Sequence, residues 1–173
     1  MAQHDTNAGG APEAGGGGLL ARLLPGAPTA PGWLGLAGLL PFFACAAGVA
    51  MLDDRPSALA SELLAGYGAV ILSFMGGCRW GFAAVGLGAE RQGGAEGAWS
   101  LYALAVLPAL YAWPVAILPE PWRAGLLALG FLLLLWADLR LTAAGGAPSW
   151  WPALRLPLSL AAAGCLLVGA TFA

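Results

Sequence analysis

Trp33 to Leu52 reads WLGLAGLLPFFACAAGVAML, twenty consecutive residues without a charge. A helix needs about 20 apolar residues to cross a bilayer, because a hydrocarbon core of ~30 Å is divided by a rise of ~1.5 Å per residue. This stretch meets that length as a single run. Trp99 to Leu118 and Leu156 to Ala173 are uncharged in the same way. Two further segments carry charge. Leu63 to Leu87 is apolar except for Arg79, and Trp122 to Leu141 holds Arg123, Asp138 and Arg140 towards its ends. Beside three clean spans, in a chain with no amphipathic helix to face water, both read as spans too. The expected fold is an all-α polytopic membrane bundle of five transmembrane helices, over residues 33–52, 63–87, 99–118, 122–141 and 154–173. The runs are too long and too unalternating for barrel strands. Only helices satisfy their own backbone groups in lipid.

The composition agrees. Of 173 residues, 60% are hydrophobic and 9% charged, against about 25% charged in an ordinary soluble domain. The formal net charge is −2, with seven Arg and no Lys, so no basic field exists to hold a nucleic acid. Cys45, Cys78 and Cys165 all lie in apolar runs and read as small hydrophobes. With His4 as the single histidine, the ligands for a structural zinc site are missing. No metal or other cofactor is expected.

Residues 1–32 read as a flexible Gly/Ala/Pro-rich tail, with neither the basic start nor the apolar run of a secretory signal. Leu19, Leu20, Leu23 and Leu24 around Arg22 form a short apolar patch, and Pro25, Pro28 and Pro31 are expected to stop a helix there. The remainder, 33–173, is one transmembrane domain. Its connections are a polar break at Asp53–Pro56, a flexible loop at Gly88–Gly97, a tight Pro119-Glu120-Pro121 turn that makes spans three and four antiparallel neighbours, and Gly145-Gly146 with Pro148.

Orientation follows from arginine. With five spans, Arg22, Arg91, Arg140 and Arg155 share one side, Arg55 and Arg123 the other. The positive-inside rule then places the N-terminus in the cytoplasm and the C-terminus outside. Trp33, Trp99, Trp136, Trp150 and Trp151 fall near one interface, Trp113 and Trp122 near the other, and Trp80 lies deeper.

The segment richest in chemistry is Leu72 to Gly81, LSFMGGCRWG. Gly77 and Gly81 form a GxxxG pair on one helix face, which Gly76 widens, so a neighbouring helix can approach closely. Ala44 with Gly48, and Ala161 with Cys165 and Gly169, offer similar faces. Arg79 is expensive at that depth and needs a partner. Asp138 is the single acidic residue inside a span, and its helix runs the same way, so both charges fall in the same half of the membrane. Two readings stand: an Arg79–Asp138 ion pair, shared with Ser73 or Arg140, or Arg79 reaching lipid phosphate while Asp138 meets interfacial water. Pro41 and Pro108 sit mid-span and are expected to kink their helices. No catalytic constellation is present: no His beside a nucleophile, no HExxH, no GxSxG.

The run Tyr67 to Gly81, YGAVILSFMGGCRWG, resembles the signature of a domain-of-unknown-function family of small multi-pass membrane proteins with many bacterial members, itself similar to mitochondrial transmembrane protein 69. Leu40-Pro41-Phe42, Leu107-Pro108, Asp138, Pro148-Ser149-Trp150 and Leu154-Arg155 extend the likeness over residues 31 to 172. At the family's central basic position, His or Arg, this chain has Arg79. The resemblance implies a five-helix protein of the bacterial inner membrane and supplies no reaction. The leading expectation is therefore a non-enzymatic assembly, accessory or scaffold component, packed in the lipid bilayer against other membrane subunits or itself. The alternative is a small transporter or channel component with an Arg79/Asp138 polar site. An intramembrane enzyme acting on lipid has least support.

Overall fold

The fold is that of a computed structural model, which describes residues 16–88 and 95–172. His4, and the loop residues around Arg91, lie outside them. The described residues form helices only: α1 (Gly16–Leu23), α2 (Thr29–Gly38), α3 (Leu40–Met51), α4 (Asp54–Ala84), α5 (Ala95–Val115), α6 (Trp122–Ala143) and α7 (Trp151–Phe172). Four stretches are long and apolar enough to cross a membrane: Thr29–Met51, Asp54–Ala84, Trp122–Ala143 and Trp151–Phe172. The fifth rod, α5, has a shorter apolar part, Trp99–Val115. Large apolar side chains such as Leu34, Val70, Phe74, Trp113, Ile117 and Leu133 are exposed, while Arg79, Arg123, Asp138 and Arg155 are buried. A water-soluble protein has the reverse arrangement. The chain is a multi-pass helical membrane protein.

The helix ends depart from the apolar windows. Residues 16–32 are not all tail. α1 turns back so that Leu20 and Leu24 are buried among Trp151, Leu154 and Leu141. α2 starts at Thr29 and runs through Pro31, because a proline in a first turn removes an N–H that has no helical acceptor there. Likewise α4 begins at Asp54, not Leu63, and Pro56 falls in its first turn. Charged residues continue the helix into the interface, where hydropathy no longer marks it.

Pro41 stands where the first span divides. Leu39 separates α2 from α3, its N–H donating to Leu36 O, and Pro41 opens the next helix. Pro108 behaves differently: α5 continues unbroken past both Pro108 and Pro114.

α4 is the centre of the bundle, packed by α3, α5, α6 and α7. Against α3 it forms an antiparallel hairpin, in which Tyr67 donates to Gly38 O (2.9 Å) and Ser57 to Val49 O (3.2 Å). Phe42 lies at the core, 1% exposed, edge-on to Tyr67 (5.0 Å) and Phe131 (5.8 Å). α4 and α6 run parallel in a fixed register. Their sequence offset is 61 at Glu62–Arg123 and 59 at Arg79–Asp138, two contacts separated by roughly 25 Å along α4. The small residues at the ends of α3 and α7 are used inside the chain: a Cβ on Gly48 would stand 2.9 Å from the Ala60 Cβ, and one on Gly169 2.8 Å from Leu64 Cδ2.

Gly76 marks the tightest approach. A Cβ there would run into the Ala105 carbonyl oxygen and lie 3.3 Å from the Pro108 ring, so α5 passes directly over α4 at this point. For Gly77 and Gly81 the packing expectation is not met within this chain: a Cβ on either meets nothing within 4 Å among the described residues, and both are exposed. One residue is about 100° of helix, so Gly76 and Gly77 belong to different faces.

Candidate functional site

Three helices bring charges together near one end of the bundle. Arg79 lies five residues before the α4 C-terminus, Asp138 five before that of α6, and Arg155 four after the start of α7. All are therefore ~6–8 Å inside a helix end. Asp138 Oδ1 accepts from Arg79 Nη1 at 2.9 Å, and Oδ2 from Arg155 Nε at 2.7 Å. Asp138 is 0% exposed, Arg155 2% and Arg79 7%. One carboxylate thus bridges two guanidinium groups, and formal counting leaves the trio at +1. Apart from its own pairs, no charge of the described residues is bonded to it.

The donors exceed the acceptors. Arg79 Nε, Arg155 Nη2, Ser159 Oγ and Trp151 Nε1 are buried without a hydrogen-bond partner among the described residues. Trp151, Arg155 and Ser159 recur every four residues and so form one strip of α7. Trp151 is buried within the bundle, edge-on to Phe82 at 4.9 Å with the Arg155 guanidinium 5.8 Å from its ring.

Ser73 and Arg140, expected as partners, take no part. Ser73 donates back to Ala69 O at 2.8 Å, being six residues from Arg79 and hence on another face. Arg140, two residues from Asp138, points outward and lies 4.2 Å over the Trp136 ring. Arg155, expected as a charge on the loop side of the membrane, is instead the second partner of Asp138. The signal that finds it is the strip Trp151, Arg155, Ser159, which shares its phase with apolar Ala162 and Leu166, all buried.

A second charge group closes the opposite end of α4 and α6. Arg123 makes a bidentate pair with Glu62 (2.7 and 2.8 Å) and donates Nε to Glu120 at 2.9 Å. Glu120 also accepts from Ser61 and from the Ala124 N–H at the start of α6. This group borders a cavity of about 520 Å³ that also touches Asp53 and Asp54. Its Glu62 side chain is 64% exposed, so Glu62→Gln is expected to cost less than about 1 kcal/mol in a detergent-unfolding measurement. Among the described residues no group of three or more His, Cys, Asp or Glu is placed to hold a metal ion.

A smaller cavity of about 250 Å³ lies between α4, α5 and α6, lined by leucines, Pro108, Tyr111, Gly130, Ala137 and Arg79. It adjoins the Asp138 group through Arg79.

The model of a family described as proteins of unknown function, DUF3429, matches residues 27–171. The chain belongs to the DUF3429 family. That match takes in every residue of both charge groups and leaves out the whole of α1. Within curated proteins, transmembrane protein 69 of Xenopus tropicalis is similar at 34% identity over 143 residues, which is 82% of this chain and 53% of that protein. This DUF3429 chain spans about half the length of the curated relative it matches. No solved structure matches it.

Proposed function

We propose that this protein is a non-enzymatic accessory or scaffold component of the bacterial inner membrane, whose central helix packs against a further membrane helix. One observation carries the reading. α4 is wrapped by four helices, yet Leu63, Gly66, Val70, Phe74, Gly77 and Gly81 are all exposed and recur at helical spacing. A Cβ on Gly66, Gly77 or Gly81 has open space before it. In lipid, association is driven by close packing rather than by a hydrophobic effect, so a flat glycine strip flanked by large side chains suits helix docking.

The charge groups favour a stabilising role over a conducting one, because Asp138 has both oxygens committed to guanidinium donors. Orientation with the N-terminus in the cytoplasm belongs to the same proposal. Arg22, Arg91, Arg140 and Arg155 on one side oppose Arg55 and Arg123 on the other.

Gly77→Leu combined with Gly81→Leu is the test. The pair is expected to reduce the native mass of the mild-detergent extract to that of the lone chain, with the thermal midpoint unchanged. An unaltered native complex would remove the strip from the docking role.

A further inference from the structure

The 250 Å³ cavity has one charged residue among its described lining, Arg79. The others are apolar or nearly so: Leu72 on α4, Leu104 and Leu107 on α5, Leu133 and Leu134 on α6. The cavity has a direction. From Arg79 to Leu72 along α4, and from Leu104 to Tyr111 along α5, it runs seven residues, or ~10 Å. Arg79 marks the end nearer the α4 C-terminus, while Leu72 and Tyr111 lie towards the middle of the bundle. A lipid of one leaflet is built in this order, head near the surface and chain towards the centre.

Charge gives the head its sign. The Arg79–Asp138–Arg155 group carries a formal +1 where Asp138 and Arg155 are almost wholly buried. An uncompensated charge in such surroundings is costly unless it is paired. Arg79 Nε is buried and unpartnered, and a guanidinium matches the oxygens of a phosphate well. Its depth, ~8 Å inside the end of α4, is within reach of the headgroup region, since the hydrocarbon half-thickness is only ~15 Å.

We propose that this cavity holds one acyl chain of an anionic phospholipid whose phosphate rests on the Arg79 guanidinium and neutralises the Arg79–Asp138–Arg155 group. The site is separate from the glycine strip, which lies on another face of α4.

Native mass spectrometry of the delipidated protein in mild detergent tests this. Phosphatidylglycerol and phosphatidylcholine with identical chains are titrated in, and inorganic phosphate is titrated separately. Both phosphates can accept from Arg79, but the choline of phosphatidylcholine cancels the negative charge that would neutralise the +1 group, so phosphatidylglycerol is expected to bind about tenfold more tightly. Arg79→Gln leaves the Asp138–Arg155 pair neutral, and is expected to abolish the preference between the two lipids. Leu107→Trp fills the cavity from an exposed position without touching a charge, and is expected to weaken both lipids at least several-fold. Equal affinities in the wild type would overturn the proposal, as would a preference that survives Arg79→Gln. Phosphate binding that depends on Arg79 while lipid binding ignores Leu107→Trp would make this a free-anion site, which also overturns it. Should Arg79→Gln fail to fold, Leu107→Trp decides alone: undiminished phosphatidylglycerol binding refutes the site.

Discussion

Asp138→Asn is expected to cost about 3–5 kcal/mol, the amount typical of removing one member of a buried charge group. It is the largest loss expected from any single substitution here, and a large fraction of an ordinary stability of about 5–15 kcal/mol. The asymmetry of the trio is the reason. Without its carboxylate, Arg79 and Arg155 face one another as two positive charges, buried at 7% and 2% exposure. The Asn amide can accept from one guanidinium through its oxygen but presents donors to the other. Arg79→Gln is different, because the 2.7 Å Arg155–Asp138 pair remains and its formal charge is zero. The smaller loss is therefore expected from Arg79→Gln. Unfolding in mild micelles with added denaturing detergent measures both, and their combination. The double variant is expected to lose less than the sum of the singles by about 1–3 kcal/mol. If Asp138→Asn proved no worse than Arg79→Gln and the losses simply added, the carboxylate would not be bridging the two arginines.

The second large effect concerns Gly76. Its Cα passes so close to α5 that a methyl group would meet a backbone oxygen, that of Ala105. A backbone atom cannot swing aside as the end of a leucine can, so the helices must separate. Gly76→Ala is expected to cost about 1–3 kcal/mol as overpacking, with Gly76→Leu costing more. Gly77→Leu, one position on, is expected to leave stability unchanged because its direction is open. Thermal midpoints of the three variants in the same detergent make the comparison. Equal losses at 76 and 77 would mean that α5 does not cross α4 as described.

Three of the five rods were legible because lipid demands long uncharged runs, and the two charged segments were legible beside them. Their ends were not. Thr29 and Asp54 open helices inside stretches that hydropathy treats as linker, since proline in a first turn and acidic residues near a positive helix end both favour starting there. The approach of Arg79 to Asp138 follows from shared depth, whereas Arg155 was hidden by its nearness to a loop. The glycine motif was read by spacing, which gives a face but not its occupant. Arg79 itself supplies the missing phase. An arginine in a span turns inward, and Gly76, Leu72 and Gly68 precede it at intervals of three or four residues. These positions are buried with it. Gly77 and Gly81 fall outside that stripe, so the buried charge, not the GxxxG pattern, tells which glycine touches a helix of the same chain.

The bridge at Asp138 also sets a problem of timing. Arg79 leaves the ribosome 59 residues ahead of the carboxylate that serves it. At about 5–20 residues per second, that is a wait of roughly 3–12 seconds. During this interval the nascent α4 carries an orphan cation, and Arg155 emerges only after a further 17 residues. Until its counterpart is translated, that cation is left to interfacial water and lipid phosphate, which lie within snorkelling reach of a site this close to the helix end.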